Sequence, residues 1–476
     1  MIEKILNSRL LIPAIVLLFA FALIWYLIFP SAQNLISSMP DMDNRPKSIG
    51  ENDSVIIGEN FEKFIEFEQE NTENWPRFRG SDFDNISKDK TPIAESWPTS
   101  GPSIAWQIDL GEGHAGPAIH NGKVYILDYI EKEKADALRV FSFKTGEEIW
   151  RRWYKVLIKR NHGMSRSIPT VTDDYVITFG PRCHVMCTDS DTGELLWTLD
   201  LIRDYGAELP QWYTAQCPLI DNNIAVIAIG GKNLAMGVDC SNGEIVWETP
   251  NPDNLKMSHS SVFTSSFYGK KTYVYMAVGG IVGISAEGED IGRILWKSSE
   301  WNPTVVATSP VFLGNNEILV TTGYGAGGAR IRILKTSTGF EAKLIEMHSP
   351  KEGLSSEQQT PILNSDILWT ISPKDAGALR NELLAYHKND LRNPLWKSGK
   401  ENRYGLGPYL IVGDKMFLLN DESELYLFKI EKQKAQLLAQ HKVFMDGVDA
   451  WGPMAYIDGY LILRDSHRMV SLYVGQ

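Results

Sequence analysis

Cysteine is scarce in this 476-residue chain, which holds only Cys183, Cys187, Cys217 and Cys240. No two are adjacent, and the set defines no disulfide framework. Four residues of strand place Cys183 and Cys187 about 13 Å apart, too far for a disulfide or a shared zinc. All four are therefore read as small buried hydrophobes. Basic charge is in deficit: 47 Lys and Arg against 59 Asp and Glu leave a formal charge of -12. Without a basic face to release counterions from phosphates, nucleic acid is excluded as a partner. There is no Gly-x-Ser-x-Gly, no His-Glu-x-x-His and no acid–base pair at a defined spacing. His162, His184 and His259 lack metal-ligand spacing, so no metal is expected. The glycine-rich run 321–328, TTGYGAGG, lacks the Lys-Ser/Thr of a phosphate loop and reads as a hairpin. No catalytic residue is assigned.

One uncharged run is present. Residues 10–29, LLIPAIVLLFAFALIWYLIF, reach roughly 30 Å as a helix, the thickness of a bilayer core. Trp25 and Tyr26 suit an interfacial belt, and Lys4 and Arg9 favour an N-terminus left in the cytoplasm. Residues 1–30 are thus expected to be a cytoplasmic stub and transmembrane anchor, with the remainder on the periplasmic or extracellular side. The run is longer than a signal-peptide core and lacks a good cleavage site after it. No cysteine follows within reach for a lipid anchor. Residues 31–74 are polar, acidic and turn-rich, with a short amphipathic stretch at 61–67, and are expected to be a tether.

From residue 75 the sequence repeats. A turn of the type Asp-x-x-Thr-Gly-Glu followed by Trp recurs as SFKTGEEIW ending at Trp150, DSDTGELLW at Trp197 and DCSNGEIVW at Trp247; weaker copies end at Trp296 and Trp396. From Trp106 to Trp296 the spacings are 44, 47, 50 and 49 residues. The next spacing is double, and KTSTGFEAKL keeps the turn there with Leu344 in place of Trp. A period near 40–50 residues filled with alternating, β-branched and aromatic segments predicts propeller blades of four strands. The glycine supplies the positive φ of a tight hairpin, and the Trp closes the blade and fills the gap to its neighbour, its N–H directed to a backbone carbonyl. A Pro, after a small residue in every case but Ile168-Pro169, opens seven units, at Pro117, Pro169, Pro218, Pro310, Pro361, Pro408 and Pro453, and SSVF near residue 260 opens another. Eight openings and eight closings predict an all-β, eight-bladed propeller over 75–476. The last unit has room for three strands, and Trp106 lies in a strand with no opening, so residues 104–110 are expected to complete the last blade and close the ring.

With these blade motifs the chain resembles the pyrroloquinoline quinone (PQQ)-like repeat propellers, the superfamily of the quinoprotein alcohol dehydrogenases. NWPRFRGSDFDN at 74–85 resembles a Trp-Pro-x-Phe-Arg-Gly stretch that precedes the ring in envelope members, and Arg77 and Arg79 are expected to pin the entry segment. In the enzymes of this superfamily the resemblance implies a quinone on a Trp floor under a disulfide of adjacent cysteines, beside calcium held by Glu, Asn and Asp. This sequence has no adjacent cysteines, and its inter-blade connections are short, with modest exceptions at His162 and at 202–214. It resembles more closely the non-enzymatic envelope members, such as the propeller subunit of the outer-membrane β-barrel assembly machinery. The expectation is a non-catalytic protein-binding or scaffolding module of the envelope, monomeric and without cofactor; the alternative is a PQQ- and calcium-dependent oxidoreductase with a divergent site.

Binding candidates are the residues just before the innermost strands, which project to the channel mouth: His114, Arg166, Gln216, His259, Thr308, Gln359, Arg403 and Trp451. A channel needs polar lining in any case, so these side chains also have a structural explanation.

Overall fold

A computed structural model describes residues 13, 16–21, 55–70, 72–160 and 163–476. Two compact units are distinguished, 1–38 and 39–476. In the first, residues 16–21 are helical. The expected span 10–29 lies largely outside the described residues, and no helix among those described is long and apolar enough to cross a membrane.

The second unit is an eight-bladed β-propeller. Alternating segments with β-branched and aromatic residues pair as antiparallel sheets, four strands to a blade. The innermost strands, in blade order, are Ala118–His120, Thr170–Val171, Leu219–Asp221, Phe263–Phe267, Val311–Gly314, Ile362–Asn364, Tyr409–Val412 and Ala455–Ile457. Outermost are Glu148–Lys155, Leu195–Asp200, Ile245–Pro250, Ile294–Ser298, Phe340–His348, Asp390–Lys397, Lys434–Lys442 and, for blade eight, Ser103–Asp109. This last strand pairs antiparallel with Arg468–Tyr473, so the chain's two ends make one blade as expected. The largest apolar cluster runs through the seam, from Val124 and Leu138 of blade one to Leu461 and Val470 of blade eight and Phe417 of blade seven.

The repeated motif interlocks neighbours. Gly146, Gly193, Gly243 and Gly292 have φ between 71° and 81°, and each lies against the Trp of the preceding blade. A Cβ on these glycines would stand 2.7, 2.9, 2.7 and 2.9 Å from Trp106, Trp150, Trp197 and Trp247, respectively. Glycine is thus required twice at each turn, for its backbone angle and for the ring it supports. The indole N–H of Trp106 donates to Phe143 O (2.7 Å) and that of Trp197 to Cys240 O (2.8 Å), both in the next blade. The N–H groups of Trp150, Trp247 and Trp296 are buried without an acceptor, contrary to expectation. Trp396 is half-buried, its ring 6.0 Å from that of Trp369. In blade five the register places Glu346, and not the expected Leu344, at the Trp position, because the skipped residue there is Ile345; Arg330, paired with Glu346, donates through Nη2 to Lys388 O (2.7 Å) in the next blade.

Three expectations require correction. The tether 31–74 is not free over its described part: Asn60–Lys63 adds to blade one as a fifth strand, in register with Trp150–Trp153. Phenylalanines at positions 61 and 64 stack under Arg152 and Arg151 (4.8 and 5.2 Å), which explains why this acidic stretch docks on a basic strand. Cys183 does not lie on the strand with Cys187; it precedes His184–Asp189 with φ 64°. All four thiols are buried and free, and burial raises them, Cys217 to about 11 and Cys183 and Cys240 to about 12. The connection 202–214 is not all loop, since Leu201–Tyr205 forms one helical turn capped by Asp200 and Gly206.

Candidate functional site

Because each blade is antiparallel, its first and third turns lie at one end of the ring, and its second turn and the link to the next blade lie at the other. The two ends differ. At the first end the chain closes the channel with its own residues. Trp75 exchanges backbone bonds with Ile119 (2.9 and 2.8 Å), Pro76 O accepts from Val171 N (2.9 Å), and Ile86–Ser87 pairs in parallel with Ile411–Val412. Arg79 is buried and donates to Asp84 O and Pro361 O (3.3 and 3.1 Å), while Asn85 Nδ2 donates to Tyr409 O (3.0 Å). Burial brings the Arg79 guanidinium down to about 10. The segment expected only to pin the entry strand therefore spans the inner strands of blades one, two, six and seven, and both its polar anchors bond to backbone carbonyls.

The second end carries the predicted mouth residues, and they divide into two groups and three outliers. His114 and Trp451 face each other across the seam, rings 5.0 Å apart. Gln359 Nε2 donates to Trp451 O (3.1 Å), and Trp451 Nε1 donates to Asp421 Oδ1 (2.8 Å), which also accepts from Leu406 N (2.6 Å). In the second group His259 stacks on Trp212 (6.0 Å, 27°), and Trp212 lies 5.6 Å from Tyr324. Arg166 donates to Gly163 O (3.1 Å) and acts electrostatically on Tyr324. Gln216 and Thr308 are turned inward: Gln216 Nε2 is buried on Ala228 O (2.9 Å), and Thr308 Oγ1 bonds to Thr321 O. Arg403 turns outward, to Arg380 O, to Ala378 O (3.3 Å) and to Glu382 (4.0 Å).

Sequence reasoning missed Trp212, Tyr324, Glu357 and Asp421. Trp212 and Tyr213 are consecutive residues at φ 61° and 72°. Tyr213 is fully buried, its hydroxyl bridging Lys159 N and O (2.8 and 3.0 Å), and this anchor leaves Trp212 half-exposed over the mouth. Such backbone angles are costly for aromatic residues and persist only where the surroundings enforce them. Glu357 packs on Gly323, and its carboxyl is raised by burial, with Asp375 and Asp421 adding to the shift and Lys374 opposing it. Asp421 is likewise raised by burial. The signals available were an aromatic pair inside a polar loop, Gln211-Trp212-Tyr213, and the tyrosine within Gly323-Tyr324-Gly325.

Among the described residues, one group has the spacing to hold a cation: Glu112, Glu131 and His467, at the rim of the seam. Glu112 is already engaged by Arg160 Nε (2.5 Å) and Gly163 N (3.2 Å).

The family model for the outer membrane protein assembly factor BamB matches residues 96–257 and 134–398. The chain belongs to this family. No curated protein sequence matches it. Among solved structures, BamB from Moraxella catarrhalis is similar with 12% identity and a TM-score of 0.52, over 78% of this chain and 97% of that one. Quinohemoprotein alcohol dehydrogenase from Comamonas testosteroni is similar with 12% identity and a TM-score of 0.56, over 85% and 81%. The computationally designed Ika8 protein gives 12% and 0.50, over 79% and 100%. At these identities the likeness establishes the fold alone, which an assembly factor, a dehydrogenase and a designed protein share.

The mouth does not fit the quinone cradle implied by the resemblance. The four buried thiols are free, and no two are adjacent in the chain as the cradle's roofing disulfide requires. Of the mouth carboxylates, Asp421 is bonded to Leu406 N and Trp451 Nε1, and Asp375 to Gly325 N (2.7 Å).

Proposed function

We propose that this BamB-family propeller is a non-catalytic docking module of the cell envelope, held to the membrane through residues 10–29 and engaging a protein partner at the second, open end of its ring. The observation that carries this is the asymmetry of the channel. One end is filled by residues 75–87, whereas the other presents half-exposed aromatic rings, Trp212, Tyr324 and Trp451, on a rigid ring of blades. Aromatic side chains held at low conformational cost are what protein interfaces use as anchors. The mouth's own polar groups are largely spent on internal bonds, so contact area supplies recognition.

The test is photo-crosslinking in cells from a benzophenone amino acid placed at Trp212 or Tyr324, with Tyr268 at the opposite end as control. A discrete protein adduct from the first two positions only is expected. Adducts from Tyr268 alone would overturn the reading, as would robust alcohol or sugar oxidation by purified protein with PQQ and calcium that disappears on chelation. Retention in the pellet after alkaline carbonate washing tests the anchor; release of a soluble form beginning near Gln33 would refute it.

A further inference from the structure

The outermost strands share a feature beyond the Trp motif. Each has a one-residue bulge next to the blade-closing position, where the register skips Ile149, Leu196, Val246, Leu295, Ile345 and Leu395, Leu438 in blade seven and Ala105 in blade eight. A bulge leaves a residue unpaired on a strand whose outer edge is itself unpaired. Leu196, Val246, Ile345 and Leu395 are accordingly 36, 48, 40 and 41% exposed. Ile149 is only 2% exposed, because the chain's own residues 60–65 cover it: Phe64 N and Ile65 N both donate to Ile149 O (2.8 and 3.4 Å). Blade one therefore displays what such an edge accepts, an extended acidic and aromatic segment lying on cationic side chains. Arg152 donates to Gly58 O (2.7 Å), and Arg151 reaches Glu62 (3.5 Å).

The other seven outer edges carry no fifth strand among the described residues. Of these, only blade seven's, Lys434–Lys442 (KAQLLAQHK), combines nine residues with no carboxylate and no proline. Lys434 is exposed, and its cross-strand neighbour Glu431 is paired with Lys429 (3.2 Å). Leu437 is also exposed.

We propose that the outer edge of blade seven is a second docking site, which takes an extended acidic, phenylalanine-bearing segment of a partner protein as an added antiparallel strand. Backbone bonds supply the pairing, the leucines at the bulge take the aromatic side chains, and the lysines select the acidic segment. This surface is separate from the open channel end, and shares with the reading above only the premise that the protein binds other proteins.

A labelled peptide with the sequence of residues 57–68, IGENFEKFIEFE, is the probe, titrated by fluorescence anisotropy against the intact chain. Saturable binding is expected, weakening with salt and dropping about tenfold or more in the double variant Lys434→Glu, Gln440→Glu. Both positions are exposed, so the fold is expected to be kept, and circular dichroism and a thermal melt check it. Arg151→Glu should leave the affinity unchanged, as should Trp212→Ala, which affects only the open-end reading. No saturable binding overturns the proposal, and so does equal binding of a scrambled peptide. Loss in Arg151→Glu without loss in the blade-seven variant also overturns it, by showing that the peptide displaces the strand on blade one.

Discussion

Asp136 shows how one residue ties the ring's stability to pH. It is buried between blades one and two, where its Oδ2 accepts from Tyr154 Oη (3.0 Å), which lies 3.2 Å from His184 Nδ1; its Oδ1 is buried without a partner. Burial pushes this carboxyl up to about 7, with the nearby Asp128 adding and the Tyr154 bond opposing, while burial lowers His184 against the pull of Asp200. The native state therefore holds a proton that the unfolded chain releases near pH 4. The neutral carboxyl's contribution is complete below that pH, is lost between about 4 and 7, and is constant above. At 1.36 kcal/mol per unit the loss is at most about 4 kcal/mol. Asp136→Asn keeps an acceptor for Tyr154 and cannot ionise. Its melting temperature is expected to vary less between pH 5 and 8 than the wild type's and to exceed it at pH 8; parallel curves would show that Asp136 does not titrate in this range.

At the scale of the element, the turn glycine and the indole it supports act as one unit. Gly243→Ala places a methyl against Trp197 at an angle of φ 78°, so a loss of roughly 2 kcal/mol or more is expected from strain and displacement together. Gly269→Ala, with φ 81° and open space around it, isolates the backbone part. Equal melting temperatures for the two would show that the contact with Trp197 adds nothing. The channel-filling segment allows a similar comparison: Trp75→Ala removes a ring that is 3% exposed and should cost roughly 3 kcal/mol, more than Phe78→Ala at a half-buried position. The blades were legible because they repeat, so that eight weak signals reinforced one another. The strand at 60–63 was not, and the segment at 75–87 was legible only as a pin and not as a span of four blades, because each occurs once and gains its partner only when the ring exists; an acidic stretch such as GENFEKFIEFE has no core of its own and reads as linker. The bulges had a signal, since paired apolar residues such as Leu196-Trp197 and Val246-Trp247 break the two-residue alternation. At the mouth, the position before each inner strand led to His114, Gln359 and Trp451, which contact one another, and to Arg166 and His259 beside Trp212 and Tyr324. Backbone carbonyls within reach turned Gln216 and Thr308 inward, which spacing alone cannot reveal.

For the whole molecule, the decisive feature is that a ring of separate blades is closed by one strand from the far end of the chain. Ser103–Asp109 brings Trp106, whose ring rests on Gly146 of blade one and whose N–H reaches Phe143 O, so a single strand completes blade eight and its interface with blade one. Arg464 supports the same seam from inside: its fully buried guanidinium donates to Gly111 O and Ala115 O (3.1 and 3.3 Å). Three N-terminal truncations separate the contributions. Of the propeller, a chain beginning at Thr72 loses only the segment that adds a strand to blade one. One beginning at Pro98 also loses the channel-filling segment, with buried Trp75, Arg79 and Asn85, and is expected to melt lower. One beginning at Gly111 further loses the closing strand, and Trp106 alone should cost roughly 3 to 5 kcal/mol. Only this last truncation exposes Arg468–Tyr473, a buried strand paired to its neighbour without the bulge of the outermost strands, as a bare edge, so it should self-associate most, by light scattering at the concentration used for the melts. If the chains from Pro98 and Gly111 melt together and both remain monomeric, the ring does not depend on its closing strand, and the interlock between the remaining blades must be sufficient to hold it.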